Sequence, residues 1–348
     1  MIKLNPLTKT KWQRFISIKR SFFSFVLLMI MIFISIFAET FINNKALIVL
    51  YNGKLYFPTY TKMISGSEFG FNYEYETNYK ELKKKIDKEK NNNFVLMPFI
   101  PFNPYENDFK NEKYPPYPPS FKDKHFLGTD NVGRDILARL VYGFRTAIFF
   151  SIILLIFNYS IGISLGCAMG YFGGKIDLFF QRILEVWSNI PFFYVVIIIS
   201  SIIVPNFMIL LLIMGFFGWI HMTWVMRTIT YKEKEREYVL AARSIGASNI
   251  RIIFNHIIPN TISIIVTYFP FAISGGIVAL TSLDYLGFGL PAPTPSWGEL
   301  LFQGWTNMSA WWISGSVVLA MIITLMVVTF TGEGIREAFD PKMHTIYE

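Results

Sequence analysis

Long apolar runs separated by short polar segments make up most of this chain. Charge-free runs cover Ser21–Ala38, Thr146–Gly174 and Val186–Met226, and further apolar runs cover Ile257–Leu283 and part of Leu300–Gly332. A helix needs about 20 apolar residues to cross a bilayer. These runs therefore predict membrane-spanning helices.

The longest run predicts two spans rather than one. Val186–Met226 contains 41 residues, and at about 1.5 Å per residue its helix would be roughly twice as long as a 30 Å bilayer core is thick. Pro205-Asn206 lies within it, and proline disfavours a continuous helix. We therefore predict six spans in total.

The first span is predicted to stay uncleaved, with its N-terminal side in the cytoplasm. Six Lys or Arg residues and no acid precede Ser21, which is typical of a cytoplasmic flank. A signal peptide is the alternative, but its apolar region is usually about 7–15 residues long and leads to a small-residue cleavage site. The run here is longer, and Ala38-Glu39-Thr40 is a poor site.

The segment 43–124 is polar and predicts a small folded insertion outside the membrane. Tyr51-Asn52-Gly53-Lys54 predicts a β-hairpin, because Asn-Gly favours a tight turn. Residues 78–90 are mostly charged and predict a solvated helix, and seven prolines between Pro98 and Pro119 predict an extended arm. We expect only the hairpin and the arm to pack firmly.

Composition agrees with a polytopic membrane protein. Hydrophobic residues make up 53% of the 348 residues and charged residues only 16%, against about 25% charged in soluble domains. The formal charge of +8 does not indicate nucleic-acid binding, because the basic residues lie at the ends of apolar runs. One cysteine, Cys167, and four scattered histidines predict neither a disulfide framework nor a metal site.

One long polar break, 227–260, interrupts the C-terminal half. Its first part predicts a short helix. The residues that share one face of this helix are Tyr238, Ala241, Ala242 and Ile245. Gly246 is predicted to end the helix with a positive φ, and a second helix is predicted from near Ser248 to Pro259.

A small-residue stripe and a false nucleotide motif lie in the second predicted span. Gly162, Gly166 and Gly170 recur every four residues, which favours close helix packing. The stretch 170–175 is similar to a phosphate-binding loop, but Met169 replaces its first glycine and Ile176 follows the lysine. No nucleotide site is predicted.

The polar break resembles the EAA loop of ABC-transporter permeases. Ala241-Ala242, Gly246 and Ile258-Pro259 match its pattern, whereas Leu240 stands where that family usually has Glu. In the family this loop docks on a cytoplasmic ATPase. The resemblance implies that role for Tyr238, Leu240, Ala241, Ala242, Arg243, Gly246 and Pro259.

Two further motifs resemble the C-type permeases of peptide and nickel importers. The first comprises Gly128, Thr129, Asp130, Gly133, Arg134 and Asp135. It precedes a predicted amphipathic interfacial helix at 136–143, and a capped surface helix is the alternative interpretation. The second makes Asp284, Gly287 and Gly289 candidates for the pathway or gate, although Asp284 as a polar cap at the outer end of the fifth span is the alternative.

The hairpin at 50–58 and the Pro-rich tract narrow the resemblance to the Yej-type peptide importers. It implies a permease subunit of an ATP-driven importer of oligopeptides or microcin C-type antibiotics, in the bacterial inner membrane. The implied partners are a YejB-like second permease, a YejF-like ATPase that binds ATP and Mg, and a YejA-like external substrate-binding protein. The resemblance implies no cofactor and no catalytic residue in this chain.

Several alternatives stay open. A dipeptide or nickel permease belongs to the same family, but a nickel pathway would be expected to offer His, Cys or acidic ligands, which are few here. A membrane-embedded enzyme would need converging ionisable groups, and Asp284 has no obvious partner. The Tyr- and Phe-rich insertion could be a stabilising lid, a docking surface for the binding protein or a peptide contact.

The expected fold is all-α, with the six transmembrane helices of the type I ABC importer permease and an external insertion containing a β-hairpin. Both ends are expected in the cytoplasm, because Lys and Arg concentrate in the predicted inside segments. Arg134, Arg139 and Arg145 are an exception to this distribution, because they are predicted to lie outside, just before the second span. The expected parts are a cytoplasmic N-terminus (1–20), the first transmembrane helix (21–42), the insertion (43–124), a core with five transmembrane helices and the coupling loop 227–260 (125–340), and a cytoplasmic tail (341–348).

Overall fold

The computed structural model describes residues 6–89, 92–109 and 114–339, which are mostly helical. The predicted tail 341–348 and the first five residues lie outside the described residues. In chain order the elements are α1 (Pro6–Ser17), α2 (Lys19–Ile36), α3 (Ala38–Phe41), β1 (Ile48–Tyr51), β2 (Lys54–Tyr56), α4 (Tyr79–Glu89), β3 (Phe94–Leu96), α5 (Ile136–Phe172), α6 (Gly174–Ser188), α7 (Phe192–Ile202), α8 (Phe207–Glu233), α9 (Glu237–Ser244), α10 (Asn249–Ile252), α11 (Ile258–Tyr285), α12 (Trp297–Thr306) and α13 (Trp311–Phe339).

Five helical segments of the described chain are long and apolar enough to cross a membrane, and a bent pair of helices makes a sixth if it is taken as one span. The five are α2, α5, α8, the continuous stretch Asn249–Tyr285 and α13. The bent pair is α6 with α7, at an angle of 67°. The predicted helical membrane fold with a small sheet is confirmed.

The separate interfacial helix predicted at 136–143 is wrong. These residues are the first two turns of α5, which runs unbroken for 37 residues. The side chain of Asp135 caps its start by accepting a hydrogen bond from the Ala138 N–H at 2.7 Å. Gly143 lies within this helix, and the Trp297 ring packs against it, 2.8 Å from the place that a Cβ atom would take.

The third span differs from the prediction and the fourth agrees with it. Pro191 separates α6 from α7, so the helix bends inside the segment that was predicted to be one span beginning at Val186. Proline cannot donate a backbone hydrogen bond, and its ring opposes a continuous helix. The break at Pro205-Asn206 is confirmed, and Asn206 caps α8 by accepting from the Ile209 N–H at 2.9 Å.

Pro259 does not end the second helix of the polar break, contrary to prediction. A π-helical turn at Ile253–Ile257 joins α10 to α11, and Pro259 lies in the first turn of α11. Proline lacks the N–H that a regular helix would use at this point, and the π turn lies directly before it. The wide π turn lets the chain pass from the hairpin into the span without a break.

The insertion folds around its own small core. β1 pairs with β2 across a turn in which Asn52 and Gly53 have φ of 49° and 78°, as the Asn-Gly signal predicts. β3 was not predicted and pairs with the other edge of β1, giving the order β2-β1-β3. The charged helix is present as α4, but it is not merely solvated. It buries Tyr79, Leu82 and Ile86 against the sheet and Phe69.

α5 is the helix on which the membrane-embedded core is organised, because α8, α11 and parts of α2, α12 and α13 pack along it. The predicted glycine stripe lies at its contact with α8. A Cβ atom on Gly166 would lie 2.5 Å from the carbonyl oxygen of Thr223, and Gly162 and Gly170 are equally close to α8. The small residues therefore set the distance between these two helices.

Candidate functional site

The helical hairpin that resembles the coupling loop is folded onto the ends of α5 and α8. Val239 and Ala242 of α9 are buried in one cluster with Cys167 and Tyr171 of α5 and Met226 of α8. The predicted apolar face of α9 is wrong in part: Ala242 is buried, whereas Ala241 is exposed and Ile245 is 86% exposed. The buried face is therefore rotated from the one that spacing alone indicated.

The turn between the two hairpin helices has the geometry that the sequence predicts. Gly246 has φ of +79°, and its N–H donates to the Arg243 carbonyl at 3.0 Å. Ser248 then caps α10 by accepting from the Arg251 N–H. No described atom lies within 4 Å of the place where a Gly246 side chain would begin. The requirement for glycine is therefore one of backbone conformation.

Polar contacts hold the base of this hairpin. The Arg227 guanidinium donates to both oxygens of Asp177, at 2.5 and 2.6 Å. The Tyr238 hydroxyl donates to Glu233 at 2.8 Å, and burial together with that carboxylate raises the pKa of Tyr238. The Asp177–Arg227 pair was not predicted, although each is a lone charge beside an apolar run.

The outer surface of the hairpin exposes a group of large apolar side chains beside polar ones such as Arg243 and Arg251. The apolar ones are Leu240 (44% exposed), Ile245 (86%), Ile250 (70%) and Phe254 (53%). Soluble surfaces seldom expose so many large aliphatic groups together. Leu240 and Ala241, two of the predicted coupling residues, lie on this surface. Ala242 and Tyr238 instead pack inward, and Pro259 belongs to the span.

The first external motif forms a buried network of charges between the start of α5 and α12. The Arg134 guanidinium donates to Asp130 at 2.7 Å and to Glu299 at 2.6 Å. The fully buried Arg139 also donates to Glu299, and to backbone carbonyls of Pro104, Pro293 and Thr294. These arginines thus connect segments that are far apart in the sequence. Because their charges are paired within the fold, they are compatible with the predicted external position.

The remaining motif residues support the backbone around that network. Gly128 and Gly133 have positive φ and lie against the carbonyl oxygens of Tyr117 and Asp108, where a Cβ atom would clash. The Thr129 hydroxyl accepts from the Tyr117 N–H at 2.8 Å. The motif is therefore a compact, hydrogen-bonded segment that connects the insertion to the core.

His125, which sequence reasoning did not single out, is the centre of a second buried contact. Its ring is 1% exposed, and its two nitrogens lie 2.8 Å from Asp135 and 3.1 Å from Asp108. Burial alone would lower the pKa of His125, but the hydrogen bonds to the two carboxylates outweigh it and raise the pKa above 6.5. His125 precedes the motif by three residues, so only the fold shows the contact.

Asp284, Gly287 and Gly289 lie together in the turn after α11. The Asp284 carboxylate accepts from the Leu290 N–H and the Ser296 hydroxyl. Gly287 has φ of +81°, and a Cβ atom on Gly289 would overlap the Asp284 carboxylate. This arrangement is a cap that folds the loop 286–296, and a role of the three residues in a pathway or gate stays a prediction.

Within residues 6–89, 92–109 and 114–339, no group of three or more His, Cys, Asp or Glu residues could hold a metal ion.

Comparison with known proteins gives consistent results along the whole chain. The family model described as "Binding-protein-dependent transport system inner membrane component" matches residues 162–345. The chain is 38% identical to the inner membrane ABC transporter permease protein YejE of Escherichia coli, over 98% of this chain and 99% of that protein. It is 36% identical to the peptidoglycan transport system permease protein YejE of Agrobacterium fabrum, over 97% and 94%. It is 30% identical to the dipeptide transport system permease protein DppC of Bacillus subtilis, over 72% and 77%. Together with its apolar helices, these matches show that the chain is a multi-pass inner-membrane protein and belongs to the family of inner-membrane permease components of binding-protein-dependent transport systems.

Proposed function

We propose that this chain is the permease subunit of an ATP-driven importer of oligopeptides. The observation that carries the proposal is the end-to-end match to permeases named YejE, which covers 98% of the chain and so includes the external insertion. A relative named as a dipeptide permease supports a peptide substrate, and one named for peptidoglycan transport extends the class to peptide-bearing cell-wall fragments. As a more specific proposal, the same importer would also carry peptide-like antibiotics of the microcin C type.

The proposed orientation puts the α9–α10 hairpin and both chain ends in the cytoplasm and the insertion outside. The hairpin region from Arg227 to Arg251 contains six Lys or Arg residues, and short cytoplasmic segments of membrane proteins are enriched in these residues. The three arginines of the external end are all paired with Glu299, Asp130 or Glu39 in the fold. Because each of these positive charges is paired with a carboxylate, the three arginines are not evidence against this orientation.

The proposed ATPase contact is the group of large apolar side chains exposed on the outer surface of the hairpin. Leu240, Ile245 and Ile250 are exposed there on a segment that is otherwise anchored firmly to α5 and α8. A partner ATPase that binds ATP and Mg would cover these side chains and move the hairpin, and with it the spans. The further proposed partners are a YejB-like second permease, a YejF-like ATPase and a YejA-like external binding protein.

Uptake by the reconstituted complex tests the proposal. The chain is purified with its neighbouring subunits, placed in liposomes and given the binding protein loaded with a tritiated tripeptide, with and without ATP. We expect ATP-dependent accumulation of the tripeptide. ATP-dependent uptake of Ni²⁺ without uptake of any peptide would contradict the proposal and favour the nickel alternative.

The antibiotic is tested in cells. A strain that lacks its own peptide importers is given the complete set of subunits and exposed to microcin C. Sensitivity that depends on this chain supports the finer proposal, whereas peptide uptake without sensitivity would restrict the substrates to ordinary peptides.

A further inference from the structure

A cavity of about 420 Å³ lies in the gap between α8 and α11, near the middle of both helices. α5 forms its floor, and consecutive residues of α5 touch the two walls. The Asn158 amide lies against Gly218 of α8, in the space that a Cβ atom would fill. The Tyr159 ring centroid is 5.3 Å from that of Phe269 of α11.

Four polar side chains line this otherwise apolar cavity: Asn158, Tyr159, His221 and Tyr268. None of them makes a side-chain hydrogen bond to another described residue. Asn158 is 9% exposed, and its Oδ1 atom is buried without a partner. His221 of α8 and Tyr268 of α11 face each other across the gap, with ring centroids 5.6 Å apart.

Polar groups without partners are unfavourable at the depth of the hydrocarbon core, where no water is present to satisfy them. Such residues in spans face a cavity, a pathway or a partner helix. The glycines support an open space here, because Gly218 makes room for Asn158 and no described atom lies within 4 Å of a Cβ position on Gly275. The arrangement therefore leaves hydrogen-bonding capacity unused among the residues that line the gap.

The chemistry of the lining indicates which ligand fits. No Asp, Glu, Lys or Arg lines the cavity, so it contains no permanently charged group that would select a charged side chain. An Asn amide both donates and accepts, and Tyr hydroxyls can do either. That matches the N–H and C=O of a peptide bond, while Phe217 and Phe271 offer apolar contact to side chains of any sequence. The volume is within the range of small-ligand sites.

We propose that this cavity is an intramembrane subsite that binds the backbone amides of the peptide during translocation, with Asn158, Tyr159, Tyr268 and His221 as its polar contacts. The proposal rests on the function proposed above. It makes the subsite selective for the peptide backbone and indifferent to side-chain charge.

The test compares variants in the reconstituted complex, with a tritiated tri-alanine as the probe. Asn158→Leu and Tyr268→Phe each remove hydrogen-bonding groups with little change of volume. Each should raise the KM of ATP-dependent uptake by roughly two- to tenfold, and the double variant by more. Basal ATP hydrolysis, subunit assembly and Tm should stay as in the wild type. The matched control is Tyr194→Phe on α7, where the side chain is 68% exposed and outside the cavity, and it should leave the KM unchanged.

Three outcomes overturn the subsite. If the wild type imports the probe and the double variant does so with the same KM, the cavity is not a peptide contact, although the proposed function stands. If the variants lose the second permease instead, the cavity is a contact between subunits. If the wild type imports no peptide, both proposals fail.

Photo-crosslinking to the wild-type complex tests the subsite without any variant, so it remains informative if a variant does not fold. A tripeptide with a benzophenone side chain is photo-crosslinked to the wild-type complex during turnover. Labelled fragments from 214–222 or 268–276 support the subsite, and labelling confined to other segments overturns it.

Discussion

The Nδ1 atom of His125 lies 2.8 Å from the carboxylate of Asp135, the residue that also caps the start of α5. One carboxylate therefore contacts both His125, which directly follows the insertion, and the first turn of a membrane span. The second nitrogen of the ring contacts Asp108, so His125 joins three segments at the external end. A protonated imidazole can donate to both carboxylates at once.

This geometry predicts a pH-dependent contribution to stability. The folded pKa of His125 is raised above 6.5, so below that value the ring is charged in both states and the stabilisation is complete. As the pH rises through the folded pKa, the ring loses its proton and the contribution is lost. Thermal unfolding of wild type and His125→Gln at about pH 5.5 and about pH 9 should give a larger difference in Tm at the lower pH. The His125 ring also stacks on Phe102, with ring centroids 3.9 Å apart, and an equal difference in Tm at both pH values would mean that only this packing matters.

Gly246→Val should uncouple ATP hydrolysis from uptake while leaving insertion into the membrane intact. A β-branched residue is strained at φ of +79°, at a cost of about 1–2 kcal/mol, and this would distort the turn that presents the hairpin. Uptake and ATPase rates of the complex are measured together. Gly246→Asn is the matched control, because Asn tolerates this conformation, and it should keep most activity. Normal uptake by Gly246→Val would exclude the hairpin as the coupling element.

Ala241→Trp and Ala242→Trp should fail for different reasons. Ala241 is on the exposed surface, so its variant should assemble poorly with the ATPase but keep the Tm of the isolated permease. Ala242 is 4% exposed and packed among the spans, so its variant should lower that Tm, by overpacking of about 1–3 kcal/mol. Leu240→Glu, which introduces the usual residue of the family, should be tolerated. Equal effects of the two tryptophans on Tm would contradict the burial pattern.

Arg139→Leu should strongly destabilise the external end. The substitution removes one of the two arginines that pair with the Glu299 carboxylate, and it removes the donor to three backbone carbonyls. Removal of one partner of a buried ion pair costs about 3–5 kcal/mol of stability. Arg145→Leu is the control, because its pair with Glu39 is partly exposed and is worth about 0–1 kcal/mol. Folded yield and Tm in detergent should separate the two variants clearly.

Gly166→Ala should weaken the contact between α5 and α8. The added methyl would lie 2.5 Å from the Thr223 carbonyl oxygen and 2.7 Å from the Met226 side chain, so the helices would have to move apart. Gly315→Ala is the control, since its methyl would meet only the Trp311 ring at 3.7 Å. A lower Tm for the first variant alone is the expected result, and equal Tm values would mean that the stripe does not set this distance.

Orientation can be checked by labelling single cysteines in whole cells. Cys167 is the only native cysteine of the chain and is buried, so it should give little background. Lys84→Cys on α4 should react with an impermeant maleimide from outside, and Glu235→Cys should react only after the membrane is opened. The reverse pattern at either site would invert the proposed topology.

The sequence by itself determined the spans other than the bent third one, the Asn-Gly hairpin and the Gly246 turn. Each depends on local physics. A bilayer core requires every backbone group of a span to be satisfied within that span, so the length of an apolar run reports a crossing directly. A positive φ favours glycine wherever it occurs. For these features, neighbouring residues contain all the information that is needed.

Only the tertiary structure decided how those elements end, bend and join. Residues 136–143 continue into the span as one helix, and Trp297, far along the chain, packs against Gly143 within them. The buried face of α9 depends on Cys167 and Tyr171, and the pairing of Arg139 with Glu299 spans 160 positions. Such contacts arise from packing between helices, and their partners cannot be identified from the spacing within one segment. The polar cavity has the same origin, because its four polar side chains come from three helices that only the fold brings together.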